Sequence, residues 1–556
     1  MQKKHIFGIG LLALAAAVLV WLFGSYHLVE FRFYRRGLTE LDLRGQEIPV
    51  SHYEKLTEKM PDTRILWDVP FQGGTLSQET QTLTVTALAQ EEAGILARYL
   101  PRLRTVHAES CADYDALLQL KQQRPDVNVL YRVPVDGKAM DAGALQMQLE
   151  GITEEALALL RYLPNLKFIT ISGGEAQTLR KLQAYCREQG ILLRPRLKGE
   201  VLAEDTRRLT VSALAEEQAE LLVLLPELKQ LHLIEPEARA ETVLGLPELL
   251  PETEVTWEKT ILGKTFSWDA TEIDLTDVIS RGIGEGPLNK TGYQYSLDFG
   301  VQGTREEVPA SVKLSEYHRW PDKTASTAQL IAEAGAAMDY FPNAETLVMC
   351  GSFLDNEAMA AFREARREEY KVVWSVKCGK LATRTDARFF MPVKYHVYYL
   401  QNEEAANLRY CPELVSVDIG HMSVSDISFV EYLPNLEHLI LAHTGVRDIE
   451  PLRSCKNLKF LELDWTGIQD FSPLLDCTGL EDLNVGNTWG DIEPLKGMTW
   501  LKNLWMIYRR EGRELAQALP DTRVVYTGTA TVDSGWRDLP NYFAMRDNLM
   551  MYYMSW

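Results

Sequence analysis

The chain has 556 residues, of which 46% are hydrophobic and 24% charged, with a formal net charge of −20. Its length exceeds the roughly 250–300 residues that one core sustains, so it is either multidomain or built from repeats. Its acidity argues against a phosphate-backbone binder, which needs a basic patch, so no nucleic-acid partner is expected. Seven cysteines are too few for a disulfide scaffold, and the number is odd. There is no C-x-x-C and no Cys/His spacing of a zinc site, so neither metal nor cofactor is expected.

Lys3 and Lys4 precede an apolar run from Ile6 to Phe23. Its 18 residues, at a rise of about 1.5 Å each, give about 27 Å, enough to cross a hydrocarbon core. A cleaved secretory signal would have a shorter apolar region ending in a small-x-small site. Here the run ends Trp21-Leu22-Phe23. The expectation is a cytoplasmic tail over 1–5, an uncleaved transmembrane signal anchor over 6–23 and a linker over 24–40. Basic residues flank the run on both sides, Lys3 and Lys4 before and Arg32, Arg35 and Arg36 after, so charge alone does not orient it. With so short a tail, a single-pass protein with its large domain outside the cell is expected.

Residues 41–280 repeat at about 63 residues. Leu100-Pro101 recurs as Leu163-Pro164 and Leu225-Pro226. A helical pattern precedes each marker, at Glu91–Tyr99, Glu154–Tyr162 and Glu216–Leu224, and an alternating strand follows. Second helices read at Tyr114–Gln123 and Ala176–Glu188, then further strands such as Asn128–Val133 and Leu145–Leu149. The return between these last two is short, so they either form successive coils or a hairpin. Glu91-Glu92, Glu154-Glu155 and Glu216-Glu217 open the helices alike. A pair recurring in every copy reads as acids at positive helix ends rather than as a catalytic carboxylate pair.

Residues 281–326 break the rhythm, as a junction or inserted segment. Gly282, Gly284 and Gly286 are followed by Pro287, so no phosphate-binding glycine loop opens a helix there. A further α/β repeat occupies 327–407, with helices at Ala328–Tyr340 and Asn356–Glu369 and strands at Thr346–Cys350 and Lys371–Val376.

Residues 408–508 are the most regular. Leu436, Leu439 and Leu441 read L-x-x-L-x-L, as do Leu458, Leu461 and Leu463, then Leu480, Leu483 and Val485. Leu414, Val417 and Ile419 precede in the same frame, and Leu501, Leu504 and Met506 follow. First positions advance by 22, 22, 22 and 21 residues. That is the period and pattern of a leucine-rich repeat. The fold class is therefore α/β, a leucine-rich-repeat solenoid with a parallel sheet on its concave side and helices or short turns on its convex side. Cys411, Cys455 and Cys477 each stand three residues before an opening leucine, a buried small apolar slot. Thr444, Thr466 and Thr488 replace the asparagine common in such turns.

With Leu41–Gly45, Trp67–Pro70, Val373–Val376, Arg384–Ala387 and the ending Gly535–Asp547, the chain resembles bacterial, Gram-positive surface proteins with internalin-like repeats. The resemblance implies protein or glycan binding on the concave sheet and no reaction. The residues between the leucines then face out: Asp418, His438, Phe460, Glu462, Asp464, Asp482, Asn484, Asn503 and Trp505 form the candidate ligand surface. Phe460 and Trp505 would be its aromatic anchors. Residues 509–556 read as a C-terminal cap on the open end of the solenoid. Neither Ser/His/Asp order, H-E-x-x-H nor G-x-S-x-G occurs, so an enzyme is not expected. The expected function is a membrane-anchored, extracytoplasmic binder of a protein or glycan; the alternative is an envelope-organising protein without one specific ligand.

Overall fold

The structure, a computed structural model, describes residues 16–22, 24–276, 327–350, 354–378, 381–391 and 400–548. They form two compact units. One comprises Met1–Leu209, Ala215–Leu231 and Leu246–Glu254; the other comprises Thr210–Leu214, His232–Gly245 and Val255–Trp556. Of the expected membrane anchor only residues 16–22 are described, and they are helical. Among the described residues no helix is long and apolar enough to cross a membrane. The rest of that anchor and the junction at 281–326 lie outside the described residues.

The first unit alternates parallel coils with hairpins, and the short return fits neither expected arrangement: Asn128–Leu130 and Gln146–Leu149 lie in different sheets, and a separate hairpin fills the chain between them. Gln146–Leu149, Phe168–Ile171 and Leu192–Leu197 pair in parallel. Parallel neighbours need a long crossover, and helices Glu154–Leu159 and Ala176–Gln189 supply it. Between such groups the chain turns back on itself. Asp68–Phe71 pairs antiparallel with Gly74–Ser77, and Arg132–Val135 with Lys138–Asp141. Glu91 and Glu92 lie in the first turn of their helix, and the Glu92 carboxylate accepts the Ala89 N–H at 2.8 Å. That is helix-end stabilisation, as the recurrence implied.

The span 24–40 is not a plain linker. Tyr26–Val29 and Arg32–Arg35 form an antiparallel hairpin. Tyr34 Oη meets His52 Nε2 at 2.9 Å, and Lys59 Nζ donates to the Leu28 carbonyl at 2.9 Å, which tie it to helix Val50–Lys59.

In the second unit a seven-stranded parallel sheet runs through Phe389–Phe390, Ser416–Asp418, His438–Ile440, Phe460–Glu462, Asp482–Asn484, Asn503–Trp505 and Arg523–Val525. His438 pairs with Phe460 and Phe460 with Asp482, so each register step is one sequence repeat. Leu436, Leu439, Leu441, Leu458, Leu461 and Leu463 are fully buried. Each leucine stripe is covered by the next coil, which is why no coil is stable alone. The outer returns are 3-10 turns, three of which carry proline at their start, Pro451, Pro473 and Pro494. Their fixed φ and missing N–H suit a first turn. Thr444, Thr466 and Thr488 donate to the carbonyls of Leu441, Leu463 and Val485 at 2.6, 2.7 and 2.6 Å. Cys411, Cys455 and Cys477 are free and buried, filling the small slot.

After the last repeat, helix Gly512–Ala518 leads into the seventh strand. Gly512 is needed there, because a Cβ would stand 2.1 Å from that of Tyr526. Arg523–Val525 pairs in parallel with Asn503–Trp505 and is the last strand of the sheet. Farther along, Trp536, Asn541 and Tyr542 lie against the sheet face.

Candidate functional site

Strand alternation sends Phe460, Glu462, Asp482 and Asn484 away from the leucine core, as expected. That face, however, is covered. Trp536 lies on it, with ring centroids 4.6 Å from Phe460 and 5.4 Å from Trp505. Tyr542 stands 6.0 Å from Phe460. Trp536 Nε1 donates to Glu462 Oε2 at 2.8 Å, and Trp505 Nε1 donates to Ser534 Oγ at 2.7 Å. Asn541 Nδ2 donates to Asp482 Oδ2 at 3.0 Å and to Glu481 Oε2 at 3.2 Å.

The consequence corrects the sequence reading. Phe460, Trp505 and Trp536 are 0% exposed. Asp418, His438, Glu462, Asp464, Asp482 and Asn484 are buried too, and only Asn503 of the candidate surface is partly open. The repeat pattern tells which side of the strand a residue takes. It does not tell that aromatic residues some thirty positions past the last repeat will dock there. An indole of about 150–250 Å² contributes roughly 4–6 kcal/mol on full burial, so this contact is a principal one.

Burial sets the charge state of the enclosed groups. The Glu462 carboxyl is pushed up to about 7 by burial, against the opposing pull of the Trp536 N–H and Arg537. Asp418 is pushed up to about 6 by burial, opposed by the Gly420 N–H at 3.0 Å and by Arg537. Burial raises Asp482 as well, opposed by the Asn503 and Asn541 amides. His438 is pushed down to about 4 by burial. Glu462 thus still holds part of its protons near neutrality, because burial penalises the charged carboxylate more than the Trp536 N–H and Arg537 favour it. Among the described residues no group of three or more His, Cys, Asp or Glu could hold a metal ion.

What remains open is the rim of the sheet. Two residues past the last apolar residue of each strand stand His421, His443, Trp465, Asn487 and Tyr508, all at positive φ, from 50° to 66°. The His421 and His443 N–H groups donate to the carbonyls of Ala442 and Asp464 on the next coil, both at 2.8 Å. Those bonds fix the left-handed backbone and line the side chains up. His421 and His443 stack at 4.5 Å with 13° between planes, and His443 and Trp465 at 5.6 Å with 15°. Trp465 is 57% exposed and Tyr508 54%. Trp489, which stands where Gly445 and Gly467 stand in earlier coils, is 73% exposed. Sequence reasoning missed this column, although its signal was present: rings recurring in one slot of the repeat.

The family model described as "Leucine Rich repeats (2 copies)" matches residues 434–474. These are leucine-rich repeats. Among solved structures, internalin C2 of Listeria monocytogenes is 23% identical over 23% of this chain, with a TM-score of 0.19. The match spans 64% of that protein, just under two thirds of its length. Internalin F of Listeria monocytogenes is 13% identical, covering 82% of this chain and 91% of its own, with a TM-score of 0.23. A leucine-rich-repeat protein of Leptospira interrogans is 12% identical over 86% of this chain and 100% of its own, with a TM-score of 0.19. The search of curated proteins finds no match.

Proposed function

We propose that this chain is a non-catalytic binding protein of the bacterial cell surface, held there by its N-terminal apolar segment. It takes a protein partner along the ring column at the rim of its repeat sheet. The observation that carries this reading is the exposed stack of His421, His443 and Trp465 beside a sheet face that the tail has closed. Exposed aromatic groups on a rigid scaffold are the usual anchors of protein interfaces. Both faces of the His443 ring are flanked by neighbouring rings, so the column offers ring edges. A saccharide docks on ring faces, which favours a protein over a glycan.

The test is photo-crosslinking from a reactive residue placed at His443 on the full chain at the cell surface. A saturable protein adduct that Trp465→Ser abolishes is the expected result. Saturable glycan capture instead would change the ligand class, and capture of nothing saturable would favour an envelope-organising role. Protease access on intact cells tests the side of the membrane independently.

A further inference from the structure

The hairpin Tyr26–Arg35 begins three residues after the apolar run ends at Phe23. Its turn is Glu30-Phe31, both at positive φ, 43° and 65°. Among the described residues four other hairpin turns have the same pair of positive angles, and each places glycine second: Gln72-Gly73, Asp136-Gly137, Lys198-Gly199 and Leu262-Gly263. Glycine suits that position because a side chain there crowds the backbone. A bulky residue in that conformation is an outlier. Phe31 is not compensated by packing, since it is 97% exposed, and Phe33 behind it is 49% exposed. A strained and solvated aromatic points to a use outside the folded chain.

The surroundings specify that use. The Glu30 carboxylate is held by His52 Nδ1 at 2.9 Å and by the Lys55 ammonium, so the turn is fixed and its one acid is paired. Arg32, Arg35 and Arg36 are exposed around it. Aromatic rings at the acyl boundary with arginines at the headgroups are the composition of a bilayer interface. Each basic residue near an anionic leaflet adds attraction.

We propose that this hairpin is a second membrane contact: Phe31 and Phe33 enter the boundary between headgroups and acyl chains, and Arg32, Arg35 and Arg36 pair with anionic lipid phosphates. The proposal rests on the reading that Ile6–Phe23 enters the same bilayer. A lone helix would leave the first unit free to swivel; a hairpin bolted to helix Val50–Lys59 sets how that unit stands on the surface.

The experiment uses the full chain in phosphatidylcholine vesicles with or without phosphatidylglycerol. Phe31→Cys carries an environment-sensitive thiol label, and Lys138→Cys, at the tip of another hairpin, is the control. The native cysteines are buried and stay unlabelled. The expected result is co-flotation of both, with a blue-shifted label at 31 that lipid-borne quenchers suppress several-fold more than at 138. Phosphatidylglycerol should deepen the quenching, and Arg32→Gln/Arg35→Gln/Arg36→Gln should remove that increment. Flotation with a solvent-like label at 31 overturns the hairpin contact and leaves the anchor reading intact. Flotation with quenching indifferent to phosphatidylglycerol overturns the arginine–phosphate pairing. Failure of the unlabelled chain to float overturns both the anchor and the hairpin contact.

Discussion

The Trp536 indole donates to the Glu462 carboxyl at 2.8 Å in a site where both side chains are buried. In the folded chain Glu462 keeps its proton up to about pH 7, against an ordinary value of 4.5. Between those values the native state binds more protons than the unfolded one. Stability therefore falls as pH rises through that window and levels off above it. The whole change is of the order of 3 kcal/mol. Asp418 acts in the same sense between 3.8 and about 6. Glu462→Gln keeps an acceptor for the indole and removes the titration. Melting midpoints across this range should fall for the wild type and fall distinctly less for Glu462→Gln. Equal slopes would show that Glu462 does not carry the effect.

The covered face and the open rim respond differently to truncation. Phe460 and Trp505 have no exposed surface, so each change to alanine should cost roughly 3–5 kcal/mol. Phe460→Ala/Trp505→Ala is therefore a folding defect and no test of binding. Trp465→Ser removes a ring that is 57% exposed and should cost under about 1 kcal/mol, mostly its stacking on His443. Denaturant midpoints separate the two cases. A Trp465→Ser protein as unstable as the double variant would mean the column is structural.

The leucine frame made the repeats legible because its period is fixed by geometry: one coil, one turn of the solenoid. Positions such as Leu461 and Thr466 could be placed from spacing alone. The hairpins were half-legible, since Asp136-Gly137 is a turn signal but its strands are only four residues each. The closing tail was not legible. Trp536 and Tyr542 obey no repeat, and their docking follows from complementarity to Phe460 and Trp505, which spacing does not encode. The rim column was legible in principle. His421, His443 and Trp465 share a slot, but their stacking depends on a backbone angle that only the coil-to-coil bonds impose.

All seven cysteines are free and buried. Burial pushes the Cys186 and Cys477 thiols up to about 12, and Cys455 up to about 11. The thiolate is the reactive form, so these groups are inert while their coils are packed. Thiol reagents near neutral pH should leave the native protein unmodified and label every cysteine once it is unfolded. Fast labelling of Cys455 or Cys477 under native conditions would show that the repeat coils open locally.

Phe31 offers a test of strain that is independent of any membrane. A non-glycine residue in the left-handed conformation costs roughly 1–2 kcal/mol relative to one that is at ease there. At 97% exposure Phe31 returns almost no burial to offset that cost. Phe31→Gly should therefore stabilise the detergent-solubilised chain by about 1 kcal/mol, less whatever glycine's greater freedom in the unfolded chain takes back. Gly137→Phe, the reverse change at an equivalent turn, should destabilise by a similar amount. In vesicles the gain from Phe31→Gly should shrink or change sign, because there the ring has apolar surface to bury. A Phe31→Gly chain no more stable than the wild type in detergent would remove the strain argument, and with it the reason to regard this phenylalanine as selected for a contact beyond the fold.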